Sequence, residues 1–136
     1  MYKRQFLNNA KQTKPINRDM LFMQEGRKVF KEVVPMVSKL IINHLMDESI
    51  EIKDLKRLWL HQANKSMNDL IGKKVLGRTP NKNEQPNILQ DYANTSSAGS
   101  IIAFSKYSKG MKKDEIGVLC SFGAGYSAGS VILRKT

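Results

Sequence analysis

Apolar residues between positions 29 and 45 recur at intervals of three and four, which is the spacing of one face of an amphipathic helix. This face comprises Val29, Phe30, Val33, Val34, Val37, Leu40, Ile41, His44 and Leu45. Pro35 falls within the pattern, so we expect it to kink the helix or to act as the first-turn residue of a restarted one. Residues 1–25 show no sustained period and indicate a loop or an extended arm.

Short apolar runs and amphipathic stretches alternate in the rest of the chain. Leu58-Trp59-Leu60 predicts a buried strand that delivers His61 at its end. Residues 64–76 predict a second helix, with Gly77 as its C-cap. The expected inner face of this helix comprises Met67, Leu70, Ile71 and Val75.

The last third of the chain continues the alternation. Residues 88–89 predict a short strand. A helix follows from residues 95–97, whose hydroxyl side chains are good N-cap candidates, to about Lys109. Residues 115–122 and 129–134 predict two strands around a glycine-rich turn. Strands that alternate with helices in this way predict a layered α/β fold.

The length and composition indicate one domain. A chain of 136 residues, 40% of them hydrophobic, can build one core, and we assign that domain to residues 26–136. No stretch approaches the roughly 18 consecutive apolar residues of a membrane span. The N-terminal residues lack the long apolar core of a secretory signal. We therefore expect a cytoplasmic protein with no membrane segment.

The formal net charge of +11 and the pI near 9.9 favour an acidic partner. Nucleic acid is the generic candidate for such a charge. However, the lysines and arginines are spread along the whole chain, and no helix-turn-helix, zinc knuckle or aromatic-interleaved basic strand is present. We therefore do not expect nucleic acid to be the partner.

The few metal-ligating side chains argue against a metal site. The single cysteine, Cys120, cannot form an internal disulfide, and its spacing from His44 and His61 matches no zinc pattern. We predict no bound metal. Cys120 also lies inside an apolar run, where burial makes a thiol inert, so we disfavour a nucleophilic dyad of Cys120 and His61.

Three short motifs stand at the ends of apolar runs: His61-Gln62-Ala63-Asn64, Asn94-Thr95-Ser96-Ser97 and Phe122-Gly123-Ala124-Gly125. Imidazole, amide and backbone N–H groups are the donors that hold a developing oxyanion, so the set indicates carbonyl chemistry. Each motif alone also has a structural explanation. The histidine could bond its own loop, the asparagine could cap a helix, and the glycines could form only a hairpin turn.

The order and spacing of these motifs resemble the C-terminal half of the beta-ketoacyl-acyl-carrier-protein synthase III family, condensing enzymes of the thiolase superfamily. The resemblance runs over residues 26–136. It implies one half of a layered thiolase-like fold and a decarboxylative Claisen condensation of an acyl thioester with malonyl-carrier protein, in fatty acid or related lipid or polyketide biosynthesis. In this family the nucleophilic cysteine comes from the N-terminal half.

The resemblance also assigns the donors. It implies that the ring N–H of His61 and the amide of Asn94 hold the enolate oxygen of the decarboxylated malonyl group. It implies that the backbone N–H of Gly123 forms half of a second oxyanion hole, whose other donor belongs to the cysteine. This chain alone is therefore expected to be inactive.

Further residues are assigned to binding by the same resemblance. Asn64 is expected to contact the pantetheine arm, and Phe122 to wall the acyl site. Lys73, Lys74 and Arg78 are expected to form a patch for acyl carrier protein. A solvated helix face explains each of these cations equally well.

Two departures from the family pattern suggest a divergent branch with a different acyl chain or acceptor. Lys65-Ser66 stands where a carrier-binding arginine is common, and Ala93 stands where glycine is common. The expected partners are acyl carrier protein, coenzyme A thioesters, the N-terminal half of the enzyme and a second copy in a homodimer, with no other cofactor. A non-catalytic binding half, or one subunit of a split enzyme, remains an alternative.

Overall fold

A computed structural model of the chain describes residues 26–123 and 127–136. The predicted arm at residues 1–25 lies outside the described residues, and so do residues 124–126 of the predicted glycine-rich turn.

The described chain forms a three-layer α/β arrangement around one sheet. In chain order its elements are α1 (Gly26–Asp47), a turn of 3-10 helix (Ile52–Asp54), β1 (Leu55–Leu60), α2 (Lys65–Leu76), α3 (Leu89–Tyr92), α4 (Ala98–Tyr107), β2 (Ile116–Gly123) and β3 (Ser127–Arg134). The strand order is β1-β2-β3, with β1 parallel to β2 and β2 antiparallel to β3. The predicted α/β fold class is confirmed.

Alternation along the strands separates two cores. Leu58, Leu60 and Cys120 face α1 and α2 in the larger hydrophobic cluster. Trp59 faces the other side of the sheet, where it packs with Ala103 of α4 in the smaller cluster. Because side chains alternate between the faces of a strand, α1 and α2 cover one face and α4 covers the other.

Helix α1 runs unbroken through Pro35, so the restart considered from the sequence does not occur. A proline inside a helix removes one backbone hydrogen bond. The side chains of Val33, Val34 and Val37 around it are all buried against the sheet and α2, and this packing holds the helix together.

Helix α2 has the predicted ends. Asn64 is its N-cap, and Gly77 follows it with φ of 69°, a left-handed conformation that suits glycine. The prediction of Leu70 on its inner face is wrong, because Leu70 is 40% exposed. The buried face is centred on Ile71, and Leu70 points away from that centre on the helix circumference.

The predicted strand at residues 88–89 is wrong: Ile88 is the N-cap of α3. Residues 84–88 instead lie along the outer edge of β1 without forming a ladder. The N–H of Leu58 donates to the carbonyl of Glu84 at 2.7 Å. Pro86 has no N–H with which to continue such bonding, so the segment passes the edge as irregular chain.

Helix α4 begins at Ala98, and the hydroxyl of its N-cap residue, Ser97, makes no capping hydrogen bond. The capping role predicted for that side chain is therefore wrong. The exposed positions of α4 combine the apolar Ile101, which is 54% exposed, with the polar Ser105 and Lys106. Among the described residues, no helix combines the length and the hydropathy needed to cross a bilayer.

Candidate active site at the carboxyl edge of the sheet

His61 is the first residue after β1, at the carboxyl edge of the parallel strand pair. The register places Leu60 opposite Cys120, and the backbone N–H of His61 donates to the carbonyl of Cys120 at 2.8 Å. This edge is where open α/β sheets commonly hold functional groups. The structure therefore places His61 where the sequence predicted it.

The imidazole of His61 is held between two residues of β2. Its Nδ1 lies 3.1 Å from Oγ of Ser121. Its ring centroid lies 4.4 Å from that of Phe122, with the two planes inclined at 33°. Burial lowers the pKa of His61, so the ring is neutral at pH 7. A neutral imidazole carries one N–H donor and one acceptor nitrogen.

Gln62 is a site residue to which the sequence analysis gave no role. Its side chain is fully buried, its Nε2 donates to the carbonyl of Leu60 at 2.9 Å, and its Oε1 accepts from the N–H of Ile88 at 3.1 Å. A Cβ added to Gly99 would lie 2.7 Å from Cβ of Gln62, so α4 starts directly against it. Gln62 thereby connects the end of β1 to Ile88, which precedes Asn94 in the chain, and to Gly99, which follows it.

The only sequence signal for this role was the position of Gln62 directly after His61. A polar residue between a buried strand and a helix start is usually exposed, so composition alone would place Gln62 in solvent. Its buried state depends on Ile88 and Gly99, which are distant in sequence.

Asn94 occupies an exposed loop before α4. Its Oδ1 accepts a hydrogen bond from the N–H of Ser96 at 2.9 Å, which is an Asx-type turn. Because the oxygen is used within the loop, the NH₂ group is the part of the amide left to donate. The local turn role and a donor role are therefore compatible in one side chain.

Ala93, the residue before Asn94, has an unusual backbone conformation. Ala93 adopts φ of 53° and ψ of −155°, a region that favours glycine. A residue with a Cβ in such a region costs on the order of 1–3 kcal/mol. This geometry explains physically why glycine would suit the position that Ala93 occupies.

Gly123 is the last residue of β2 and pairs with Ser127 of β3. A Cβ added to Gly123 would meet no described atom within 4 Å. Phe122 is buried and packs both on His61 and on the larger core. The structure therefore gives Phe122 a core role as well as a wall beside the imidazole.

Asn64 is three residues after His61 in the chain. Its Oδ1 accepts a hydrogen bond from the N–H of Met67 at 3.2 Å. This bond satisfies one of the free N–H groups at the start of α2. Asn64 is exposed, so its amide remains accessible at the carboxyl edge.

The three cations predicted to bind the carrier differ in whether they have an ion-pair partner within the chain. Lys73 and Lys74 are exposed in the last turn of α2, about 14 Å along the helix axis from Asn64. Arg78 makes a two-pronged ion pair with Glu84, with Nη1 2.8 Å from Oε2. The Arg78 hydrogen bonds hold the pKa of Glu84 at about 2, so the charge of Arg78 is already matched within the chain.

Cys120 is fully buried in β2, and desolvation raises the pKa of its thiol to about 12. The expectation that this thiol is buried is confirmed, and the raised pKa is in line with the predicted lack of nucleophilic reactivity. No cluster of three or more histidine, cysteine, aspartate or glutamate side chains suited to a metal ion occurs in the described ranges, 26–123 and 127–136.

Comparison with known families identifies one match. Residues 45–135 match the family model described as the C-terminal region of 3-oxoacyl-[acyl-carrier-protein] synthase III. This match covers the segment from the end of α1 to the end of the chain, including all three motifs.

Two curated relatives agree with this match. A beta-ketodecanoyl-[acyl-carrier-protein] synthase of Pseudomonas aeruginosa is 58% identical over 130 residues, covering 96% of this chain and 37% of that protein. A beta-ketoacyl-[acyl-carrier-protein] synthase III of Streptococcus agalactiae is 34% identical over 121 residues, covering 85% of this chain and 36% of that protein. The chain thus spans little more than a third of the length of these relatives.

Solved structures show the same fold. The 3-oxoacyl-(acyl carrier protein) synthase III of Pseudomonas aeruginosa aligns with a TM-score of 0.76 and 26% identity over 90% of this chain and 38% of that chain. The priming beta-ketosynthase of the R1128 polyketide pathway aligns with a TM-score of 0.79 and 21% identity over 99% of this chain and 40% of that chain.

Proposed function

The chain belongs to the 3-oxoacyl-[acyl-carrier-protein] synthase III family, and on that premise we propose that it is the part of a condensing enzyme that stabilises the enolate of a malonyl thioester. The proposed reaction is a decarboxylative Claisen condensation in fatty acid biosynthesis. In it, the bond from the malonyl α-carbon to the free carboxylate breaks, carbon dioxide leaves, and negative charge builds on the thioester oxygen. The resulting carbanion attacks the carbonyl carbon of the acyl group, the bond from that carbon to the cysteine sulfur breaks, and the cysteine leaves as a thiolate.

The observation that carries this proposal is the state of His61. The ring is buried and neutral, it stands at the carboxyl edge of the sheet, and Ser121 engages Nδ1, so Nε2 remains for a ligand. A neutral, fixed donor stabilises charge that appears only in the transition state, and it needs no proton transfer. Asn94 is the proposed second donor, through the NH₂ group that its turn leaves unused.

We assign acyl transfer to a cysteine outside this segment, with Gly123 as one donor of the second oxyanion hole. Cys120 is unsuited to the role because its thiol is buried and its pKa is raised. Ile101 of α4 is 54% exposed, and we propose that this outside part of the enzyme packs on it.

The name of the relative at 58% identity, a beta-ketodecanoyl synthase, supports a proposal for the acyl chain length. We propose a β-ketodecanoyl thioester as the product of this chain's enzyme also. Since the malonyl unit adds two carbons, the acyl substrate would then carry eight. Asn64 at the carboxyl edge is the proposed contact for its pantetheine arm.

A complete enzyme that contains this segment tests the function directly. It should release carbon dioxide from malonyl-carrier protein and form a β-ketodecanoyl product from an eight-carbon acyl thioester in preference to a two-carbon one. Mass spectrometry of the carrier-bound product measures the chain-length preference, and decarboxylation is measured by release of carbon dioxide. A protein that keeps its fold but forms no condensation product with any acyl thioester would instead be a non-catalytic thiolase-like half.

We propose acyl carrier protein as the acidic partner, with Lys73 and Lys74 as its contacts. Replacing both by glutamate should raise the KM for carrier-bound substrate by about tenfold or more and leave a short pantetheine analogue almost unaffected, since only the carrier presents an acidic surface. The salt dependence of this KM should also flatten. Steady-state kinetics at two ionic strengths measures both effects.

The chain offers a matched control for this charge reversal. Lys112 and Lys113 are likewise adjacent and exposed, but they precede β2 at the amino edge of the sheet. Their replacement by glutamate changes the net charge equally and should leave the KM for carrier-bound substrate near the parent value. Equal effects of the two double variants would reduce the patch to a general charge effect.

A further inference from the structure

Ser121 has no role in the proposed reaction so far. It lies in β2, its backbone pairs with Gly129 of β3, and its side chain is half-buried. The only hydrogen bond of its hydroxyl among the described residues is the one to Nδ1 of His61, at 3.1 Å. A strand residue whose backbone is paired within a sheet is a rigid support for a neighbouring side chain.

The chemistry of this contact constrains the imidazole. A histidine that acts as a general base usually has a carboxylate or carbonyl acceptor on its second nitrogen, which stabilises the charged ring. His61 has a neutral hydroxyl there, and burial holds its pKa below the ordinary value. The ring is therefore supported as a neutral group, and its proton lies on one nitrogen only.

The geometry assigns Ser121 as a positioning residue that donates its hydroxyl proton to Nδ1 of His61 and so keeps the imidazole proton on Nε2. In this tautomer the N–H points away from β2 and is available to an oxyanion. Phe122 lies against the ring at 4.4 Å and restricts its rotation. The importance of this tautomer for catalysis rests on the proposed function, whereas the tautomer itself does not.

Nitrogen-15 NMR of the full 136-residue chain with labelled histidine tests the tautomer at pH 7.5. Its two histidines provide an internal control, because Nδ1 of His44 lies 2.7 Å from Oγ of Ser130. We expect the parent to show an unprotonated Nδ1 and a protonated Nε2 on His61. Ser121→Ala should shift the His61 nitrogens and mix the tautomers, whereas Ser130→Ala should affect only His44.

The parent spectrum is decisive even if Ser121→Ala fails to fold. A protonated Nδ1 on His61 in the parent would overturn the assignment, and so would a folded Ser121→Ala variant with unchanged His61 nitrogens. Ser121→Thr retains the hydroxyl and should restore the parent pattern. A threonine spectrum that matches the alanine one would show that the hydroxyl is not the cause.

The catalytic consequence is measured in a complete enzyme that contains this segment. Ser121→Ala should lower kcat for malonyl decarboxylation about tenfold, as loss of a supporting hydrogen bond commonly does, with KM nearly unchanged. Ser121→Thr should restore kcat. An enzyme that shows the Nε2–H tautomer but no decarboxylation would contradict the proposed function and leave the tautomer assignment standing. An unchanged kcat in Ser121→Ala would contradict the positioning role.

Discussion

Alanine at His61 or at Asn94 is expected to slow malonyl decarboxylation about a hundred- to a thousandfold in a complete enzyme that contains this segment, because each change removes one oxyanion donor. Transfer of the acyl group to the cysteine should stay largely intact, since the second oxyanion hole serves that step. Release of carbon dioxide measures the first effect, and intact-mass detection of the acyl-enzyme measures the second.

Two neighbouring residues of α1 are matched controls for these variants. His44 bonds Ser130 of β3, which β2 separates from β1, and Asn43 is an exposed residue of α1. Alanine at either position should leave decarboxylation within about twofold of the parent, since surface changes away from the site have small effects. Decarboxylation at the parent rate in His61→Ala or Asn94→Ala would remove that residue from the donor pair.

Cys120 is expected to react with a thiol reagent at pH 8 about a thousandfold more slowly in the native chain than in denaturant. Only the thiolate reacts, and a pKa of about 12 in place of the ordinary 9.0 lowers the thiolate fraction by that factor. Burial in β2 adds a steric barrier. Labelling kinetics with and without urea measure the difference.

The same property predicts that incubation with an acyl coenzyme A leaves no acyl group on Cys120. Intact-mass spectrometry checks this, with Cys120→Ser as the control for adducts at other side chains. An adduct that forms on the native chain and disappears in Cys120→Ser would make Cys120 a nucleophile and would overturn the assignment of acyl transfer to a residue outside this segment.

The sequence predicted best those features that depend on neighbours within a few residues. The spacing from Val29 to Leu45 reports one buried helix face directly, and Gly77 supplies the left-handed residue that ends α2. His61 could be placed at a strand end because the apolar run before it is short and abrupt. These are local patterns, so no knowledge of the tertiary contacts was needed.

The features that the sequence did not predict depend on distant partners. Gln62 is buried because Ile88 and Gly99 pack around it. The charge of Arg78 is balanced because a loop brings Glu84 close enough to form an ion pair with it. The strand expected at residues 88–89 has suitable side chains. However, the nearby Pro86 lacks the N–H that pairing would use, and that effect is visible only when the segment is seen beside β1.

The position of residues 84–88 beside β1 affects whether a second molecule can add a strand to the sheet. An unpaired strand edge is a template on which another molecule can add a strand. At β1 that edge is taken by the chain's own irregular segment, tied to Leu58 at one end and through Ile88 to Gln62 at the other. Lateral growth of the sheet into a polymer is therefore blocked on this side. At the opposite side of the sheet, the outer edge of β3 has no neighbouring strand among the described residues.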